Sequence, residues 1–308
     1  MTARTAPERL ELVAADGHRV VAIRYPAAGS PRGRIVVAGA TGVPQRFYRR
    51  FAEHAGERGW ETLTLDYRGI GLSAPRELRG FHVDYLDWAR QDLAAAIDAV
   101  PDDGLPLHVV GHSYGGHAFG LLPNHERVSR FATFATGAGW HGWMPPIERV
   151  RVLAMWRVLG PLLTRWKGYL PWSLLGMGED LPLSVYRQWR HWCRFPNYFF
   201  DDPTLAREMR ERYARVRTPI LAVNALDDGW APPSSRDAFL RGYAGTRWEG
   251  LDLDPRGIGL RSIGHMGYFR ADAARLWDAT LAWFAAPSPE PQAFAAAIAP
   301  GPRAAPAA

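Results

Sequence analysis

One serine of this chain stands in a setting that would make it a nucleophile. Residues 111–115 read Gly-His-Ser-Tyr-Gly and fit the pattern G-x-S-x-G, with Ser113 at the centre. A short apolar strand is predicted directly before the motif, over residues 106–110, and a helix directly after it. The sharp turn between them admits only small neighbours and lifts the serine hydroxyl to the helix N-terminus, where negative charge is favoured. The flanking elements favour a nucleophile over the alternative, a glycine-rich turn whose serine only caps a helix.

This serine would need a base, because a hydroxyl is a weak nucleophile until another group takes its proton. On turns of this kind the serine is followed along the chain by an acid and then by a histidine. His265 lies late in the chain, in the loop of residues 262–269, whereas the next latest of the ten histidines is His191. We therefore predict that His265 is the base.

Two aspartates are candidates for the acid that would orient this histidine and stabilise its protonated form. Asp227 and Asp228 stand together after a strand predicted over residues 219–225. Either carboxylate could instead accept hydrogen bonds from its own loop. The spacing from the strand favours Asp227, so the residues alone leave both candidates open.

The negative oxygen that forms when a serine attacks a carbonyl group needs two backbone N–H donors. The residue after the nucleophile, Tyr114, supplies one of them. The second should come from residues 39–42, Gly-Ala-Thr-Gly, which follow a strand predicted over residues 34–38 and let the main chain approach a substrate closely. We predict Thr41 as this donor, with Ala40 as the alternative.

The elements that must position these residues alternate between short apolar strands and helices. A hairpin is predicted over residues 11–26, around the turn Asp16-Gly17. Further strands are predicted over residues 34–38, 60–65, 106–110, 128–136 and 219–225, and helices over residues 43–58 and 82–100. This alternation predicts an α/β fold with a mostly parallel sheet that helices cover on both faces.

The alternation stops between residues 137 and 201, a stretch rich in tryptophan. It holds seven of the thirteen tryptophans, together with helical pieces predicted over residues 147–163 and 183–194, but no strand of the sheet type. We interpret it as an inserted helical cap, although tryptophans can equally fill an internal core. Trp140 and Trp143 are predicted to wall a pocket for an apolar acyl group; the alternative is that they only pack the cap.

These residues together resemble the α/β-hydrolase superfamily over nearly the whole chain. Residues 66–73, Asp-Tyr-Arg-Gly-Ile-Gly-Leu-Ser, are similar to its D-x-R-G-x-G-x-S loop, and Gly264-His265 is similar to its G-H motif. Within it, the chain resembles lid-bearing serine hydrolases similar to monoacylglycerol lipases and serine aminopeptidases. The resemblance implies Asp228 as the acid, because in relatives the acid lies four residues before a proline, here Pro232. The chain departs from the family at Gly39-Ala40, where many members carry His-Gly, and this affects the register of the second oxyanion donor.

The resemblance implies a core over residues 1–136 and 202–286, a helical cap over residues 137–201, and no metal or organic cofactor. The Ala- and Pro-rich residues 287–308 are predicted to be a disordered tail. The expected reaction is hydrolysis of a small-molecule ester with an apolar acyl group. Acyl transfer, amide or peptide hydrolysis by the same triad, and a non-enzymatic binding role are the alternatives.

Composition excludes several other classes of protein. The chain has 308 residues and a formal net charge of +6, but its arginines are spread along the sequence, unlike the clustered basic face of a nucleic-acid-binding protein. The lone cysteine, Cys193, excludes an internal disulfide and a cysteine-based zinc site. Neither a signal peptide nor a membrane-spanning run is recognisable, so we expect a cytoplasmic protein.

Overall fold

Eight strands form one sheet in the computed structural model, which describes residues 6–298. The strands are β1 (Glu8–Val13), β2 (Arg19–Tyr25), β3 (Gly33–Ala38), β4 (Trp60–Leu65), β5 (Leu107–His112), β6 (Val128–Phe134), β7 (Ile220–Ala225) and β8 (Trp248–Leu253). Their order is β1-β2-β4-β3-β5-β6-β7-β8. Only β2 runs antiparallel to its neighbours, whereas the other adjacent pairs are parallel. The predicted mostly parallel sheet is confirmed.

Helices connect the parallel strands and cover the sheet. They are α1 (Arg49–Glu57), α2 (Ala94–Asp98), α3 (Tyr114–Phe119), α4 (Pro146–Ala154), α5 (Gly160–Lys167), α6 (Leu183–Trp192), α7 (Ala206–Tyr213), α8 (Pro233–Leu240), α9 (Ala274–Ala285) and α10 (Gln292–Ile298). Two wider π-helical segments extend them: Trp88–Leu93 leads into α2, and Met155–Leu159 joins α4 to α5. The helix predicted over residues 82–100 thus begins later than expected. None of the helices within residues 6–298 is both long and apolar enough to cross a membrane.

The side chains of one central strand show how the two faces of the sheet are covered. Successive residues of a strand point to opposite faces. In β3, Val36 belongs to one hydrophobic cluster, which includes Trp88 and Phe119, whereas Ile35 and Val37 belong to a second cluster, which includes side chains of α1 and α9. A strand that is covered on both faces is mainly apolar, which is why β3 and β5 were predictable from the short apolar runs that they contain.

Four α-helices lie between β6 and β7, and three of them, α4 to α6, fall within residues 137–201. These residues contribute no strand to the sheet. Their only strand-like pairing is an isolated antiparallel bridge between Leu170 and Leu181, both fully buried. Trp172 and Trp192 are buried in the same cluster as Trp88. The division into a core and a helical cap remains our interpretation of this arrangement.

The predicted disorder of residues 287–308 is wrong for the part that the structure describes. Residues 292–298 form α10, which packs against α9. Phe294 and Ile298 lie four residues apart, on one face of α10, and both are buried in the second cluster. Two large apolar residues in an Ala-rich segment are therefore enough to fix this helix on the core. Residues 299–308 lie outside the described part of the chain.

Candidate active site

Ser113 lies in a strained turn between β5 and α3. Its backbone angles, φ 52° and ψ −105°, are costly for a residue other than glycine. The turn is held by a hydrogen bond of 2.8 Å from the Ser113 N–H to the carbonyl of Phe134, in the neighbouring strand β6. A side chain at Gly115 would place its Cβ 2.1 Å from the carbonyl oxygen of Ala38. The predicted need for small residues beside the serine therefore has a direct steric cause.

Three predicted residues from distant parts of the chain form one hydrogen-bonded row. The Nε2 atom of His265 lies 3.0 Å from the hydroxyl oxygen of Ser113. On the other side of the ring, Nδ1 of His265 lies 3.0 Å and 3.2 Å from the two carboxylate oxygens of Asp228. This is the arrangement in which an imidazole can take the proton of a serine while a carboxylate fixes its tautomer.

Asp228 is suited to stay ionised beside the histidine. It is 1% exposed and accepts backbone hydrogen bonds from Trp230 at 2.9 Å and Ala231 at 3.0 Å. Burial acts to raise the pKa of this carboxyl, but the charge of His265, its hydrogen bond and the two N–H donors outweigh burial, so the pKa lies below its usual value.

The neighbouring Asp227 has a different task. Its two oxygens accept hydrogen bonds from the N–H groups of Ile263 at 2.9 Å and Gly264 at 3.0 Å. Asp227 thus holds the loop that carries His265, whereas Asp228 contacts the imidazole itself. Between the two aspartates that the residues left open, only Asp228 lies within hydrogen-bond distance of the ring.

A second histidine, His112, connects two loops of the site. Its Nε2 donates to the backbone carbonyl of His265 at 2.9 Å, and its Nδ1 lies 3.0 Å from the hydroxyl of Tyr48, which accepts the N–H of Ala40 at 2.8 Å. A carbonyl can only accept, so the proton of His112 is on Nε2 and the Tyr48 hydroxyl donates to Nδ1. Burial, and secondarily the charge of His265, lower the pKa of His112 to about 3, which keeps the ring neutral. Neither Tyr48 nor His112 is among the predicted site residues, although His112 stands inside the G-x-S-x-G motif.

The same hydrogen bonds bear on the predicted oxyanion donors. The N–H of Ala40 donates to the Tyr48 hydroxyl and is therefore not free to bind an oxyanion. This favours Thr41 over Ala40 as the second donor. Thr41 lines a cavity together with Ser113, and its hydroxyl is hydrogen-bonded to that of Tyr85. Tyr114 is the first residue of α3, where backbone N–H groups have no partner within the helix.

Two cavities of about 570 Å³ each meet at Ser113 and His265. The first extends under α4 and the Met155–Leu159 segment, and the second extends along residues 40–47. Their shared walls are the aromatic or sulfur-containing side chains of Trp172, Met177, Trp189 and Trp230. The site can therefore hold an apolar group on either side of the serine.

The tryptophans predicted to wall this pocket are the wrong ones. Trp140 and Trp143 line neither cavity; they pack edge to face on each other, with ring centres 5.7 Å apart, and Trp143 donates to the carbonyl of Pro196 at 2.8 Å. The chain turns into the pocket at their neighbours Gly139 and Met144 instead. The position of this segment just after β6 correctly indicated that it borders the pocket. It did not indicate which side chains of the segment point into the pocket.

Comparisons with known proteins give a matching family and a curated relative. A family model described as serine aminopeptidase, S33, matches residues 29–249. The monoglyceride lipase of Saccharomyces cerevisiae is 26% identical over 160 residues, which are 49% of this chain and 47% of that protein. The chain thus matches about half the length of this curated relative.

Two solved structures are similar over most of the chain. A soluble variant of the Saccharomyces cerevisiae monoglyceride lipase, in complex with a substrate analogue, gives a TM-score of 0.62 at 16% identity and covers 92% of this chain and 97% of that one. The structure of DcsB in complex with its substrate analogue gives 0.61 at 16% identity and covers 95% and 99%. At these identities the likeness concerns the fold alone.

Proposed function

The chain belongs to the serine aminopeptidase S33 family of α/β-hydrolases, and from this premise we propose that it is a serine esterase for carboxylic esters with an apolar acyl group. One observation carries the proposal: the Ser113 hydroxyl lies 3.0 Å from His265 at the point where two mainly apolar cavities meet. A nucleophile and its base are thus presented to a space that suits an apolar substrate.

In the proposed reaction, the Ser113 oxygen forms a bond to the ester carbonyl carbon while its proton moves to Nε2 of His265. The backbone N–H groups of Thr41 and Tyr114 stabilise the resulting oxyanion. His265 then gives the proton to the departing alkoxide as the carbon–oxygen bond breaks. A water molecule then gives a proton to His265 while its oxygen forms a bond to the acyl carbon. The bond from that carbon to the Ser113 oxygen breaks, the acid leaves, and His265 returns the proton to the Ser113 oxygen. Asp228 keeps the imidazole oriented through both steps.

The walls of the first cavity favour an apolar acyl group over a polar one. Its lining is dominated by tryptophan, methionine and aliphatic side chains, among them Trp156, Val152 and Leu159. Each methylene that leaves water for such walls gains about 0.8 kcal/mol, close to a fourfold effect on kcat/KM. The similarity to a protein named monoglyceride lipase supports an ester of this kind.

Hydrolysis of p-nitrophenyl esters from acetyl to dodecanoyl tests the proposal, with a fluorophosphonate probe that labels activated serines. We expect kcat/KM to rise with acyl length until the cavity is filled, and Ser113→Ala to abolish both hydrolysis and labelling. Ser235→Ala is the matched control, because it makes the same substitution at a buried serine that lies outside both cavities. Undiminished labelling of the Ser113→Ala variant would contradict the assignment of the nucleophile.

The description of the family as a serine aminopeptidase favours a second candidate, hydrolysis of amide bonds by the same residues. Aminoacyl p-nitroanilides distinguish the two: faster turnover of these amides than of all the esters would replace the esterase proposal. Acyl transfer is tested by adding glycerol and measuring whether glyceryl ester forms in place of free acid. The cytoplasmic location remains a prediction from the sequence.

A further inference from the structure

The helical segment of residues 146–167 exposes a stripe of large apolar side chains. Ile147, Val150, Val158, Leu162 and Trp166 are each between 52% and 64% exposed. They are spaced by three, four or eight residues, with the exposed Ala154 midway across the longest gap, so they follow one side of the segment. We call these five side chains the outer face.

The outer face continues to the mouth of the first cavity. Leu159 is 47% exposed and also lines that cavity, as do Leu175 and Met177 in the following loop, which are 38% and 40% exposed. Of the thirteen large apolar residues that are exposed within residues 6–298, nine lie between residues 147 and 177. An apolar surface of this extent on one side of a protein marks an interaction site.

Charge indicates what this surface contacts. Residues 146–167 contain five basic side chains and one acidic side chain, Glu148, which pairs with Arg151 at 2.6 Å. Arg157 and Arg165 are exposed, and the ammonium of Lys167 lies 4.1 Å from the centre of the Trp166 ring. Apolar side chains interleaved with arginine along one helical segment are typical of helices that lie in the plane of an anionic membrane surface.

We propose that the outer face docks on a lipid bilayer that contains anionic lipids, with the mouth of the first cavity close to the bilayer. A second copy of the chain is a poorer occupant, because two such faces would bring two basic segments together. Docking would let an apolar ester pass from the bilayer into the cavity without crossing water. This consequence rests on the proposed esterase function, whereas the docking itself does not.

Flotation of the full-length protein with lipid vesicles tests the proposal. We expect binding to phosphatidylcholine vesicles that contain about one third phosphatidylglycerol, much weaker binding to phosphatidylcholine alone, and release as salt is raised. The paired change Arg157→Gln and Arg165→Gln should weaken binding about 30-fold, since each basic residue near an anionic surface contributes about 1 kcal/mol. The triple change Val150→Ser, Leu162→Ser and Trp166→Ser should weaken it at least tenfold.

Matched controls lie on β1, at the edge of the sheet. Arg9→Gln and Val13→Ser also remove an exposed arginine and a side chain that is 58% exposed, and they should bind like the unchanged protein. Hydrolysis of soluble p-nitrophenyl acetate should be unchanged in the outer-face and control variants, because none of these residues lines either cavity.

Equal binding to neutral and anionic vesicles, no binding to either, or loss of a dimer in the triple variant would each overturn the proposal. Ser113→Ala should still float with anionic vesicles. Failure of docking is therefore distinguishable from failure of the esterase proposal, which the soluble ester reports.

Discussion

Removal of one buried hydroxyl, by Tyr48→Phe, tests whether the two loops around Ser113 are positioned through a shared network. Tyr48 is 1% exposed, and its ring packs edge to face on Phe269 with ring centres 4.9 Å apart. Phenylalanine keeps that packing and removes only the oxygen that accepts the Ala40 N–H and donates to His112. The change therefore isolates two hydrogen bonds.

The expected loss can be estimated from those two groups. The Ala40 N–H and Nδ1 of His112 would each remain buried without this partner, at about 1–3 kcal/mol each, so we expect the free energy of unfolding to fall by about 2–6 kcal/mol. For a chain of this size, that loss lowers the Tm by roughly 3–9 °C. The change should also lower kcat, because the Ala40 N–H belongs to the loop that carries the predicted oxyanion donor Thr41. Loss of one oxyanion donor costs about 10²–10³ in kcat, so a displaced oxyanion loop should cost roughly 10–100-fold.

The assay is steady-state hydrolysis of p-nitrophenyl butyrate with the Tm measured in parallel. We expect kcat to fall and KM to stay within about twofold, because neither cavity loses a wall. Tyr198→Phe is the matched control: Tyr198 is also 1% exposed, but within the described residues its hydroxyl has no hydrogen-bond partner. A lowered Tm with unchanged kcat would refute a positioning role for Tyr48 and leave only a structural one.

Three further predictions follow from the site and its surroundings. Asp228→Asn should lower kcat on the order of 10⁴-fold. Asp227→Asn keeps one acceptor for the His265 loop and should lower kcat far less. If steady-state kinetics gave the reverse order, Asp228 would not be the acid. Trp189→Ala, at the wall shared by both cavities, should reduce kcat/KM for octanoyl esters more than for acetyl esters, and an equal loss for both would count against an acyl pocket. Burial lowers the pKa of His108 to about 3 and of His117 to about 4, so both rings, like His112, take up a proton on unfolding below pH about 6.5. Stability should therefore fall as pH drops from 6.5 towards 4, by about 1.4 kcal/mol per pH unit for each ring, and calorimetry of His108→Phe should show a shallower fall than the unchanged protein.

Much of the fold could be predicted because its signals are local. β3, β4 and β5 are buried over nearly their whole length, and β3 and β5 each carry a short run of valine or isoleucine, which is typical of strands covered on both faces of a parallel sheet. β8 escaped prediction because it is an edge strand: its sequence, WEGLDL, carries a glycine and two acids, and most of its residues are partly exposed. The helix of residues 292–298 escaped because an Ala- and Pro-rich composition outweighed its two apolar anchors.

The candidate site divides in the same way. Ser113 and His265 were recognisable because a strained turn demands glycines and because the chain order leaves few histidines. The choice between two adjacent aspartates depends on which carboxylate faces the ring, and that direction is fixed by the backbone bonds of Trp230 and Ala231 to Asp228. Side-chain direction also decided the pocket, where Trp189 and Trp230 replace the predicted Trp140 and Trp143.

The loop that carries His265 shows why residues next to the candidate catalytic groups matter as much as those groups. Gly264 has φ 55°, and buried apolar side chains anchor the loop before and after it, Ile263 on one side and Tyr268 and Phe269 on the other. Polar contacts fix the backbone of residues 263–265 between these anchors. Asp227 holds two of its N–H groups, and His112 holds the carbonyl of His265. Both residues that bind this loop are sequence neighbours of a residue in the hydrogen-bonded row, since Asp227 precedes Asp228 and His112 precedes Ser113. The segments that present the acid and the nucleophile therefore also hold the backbone of the base.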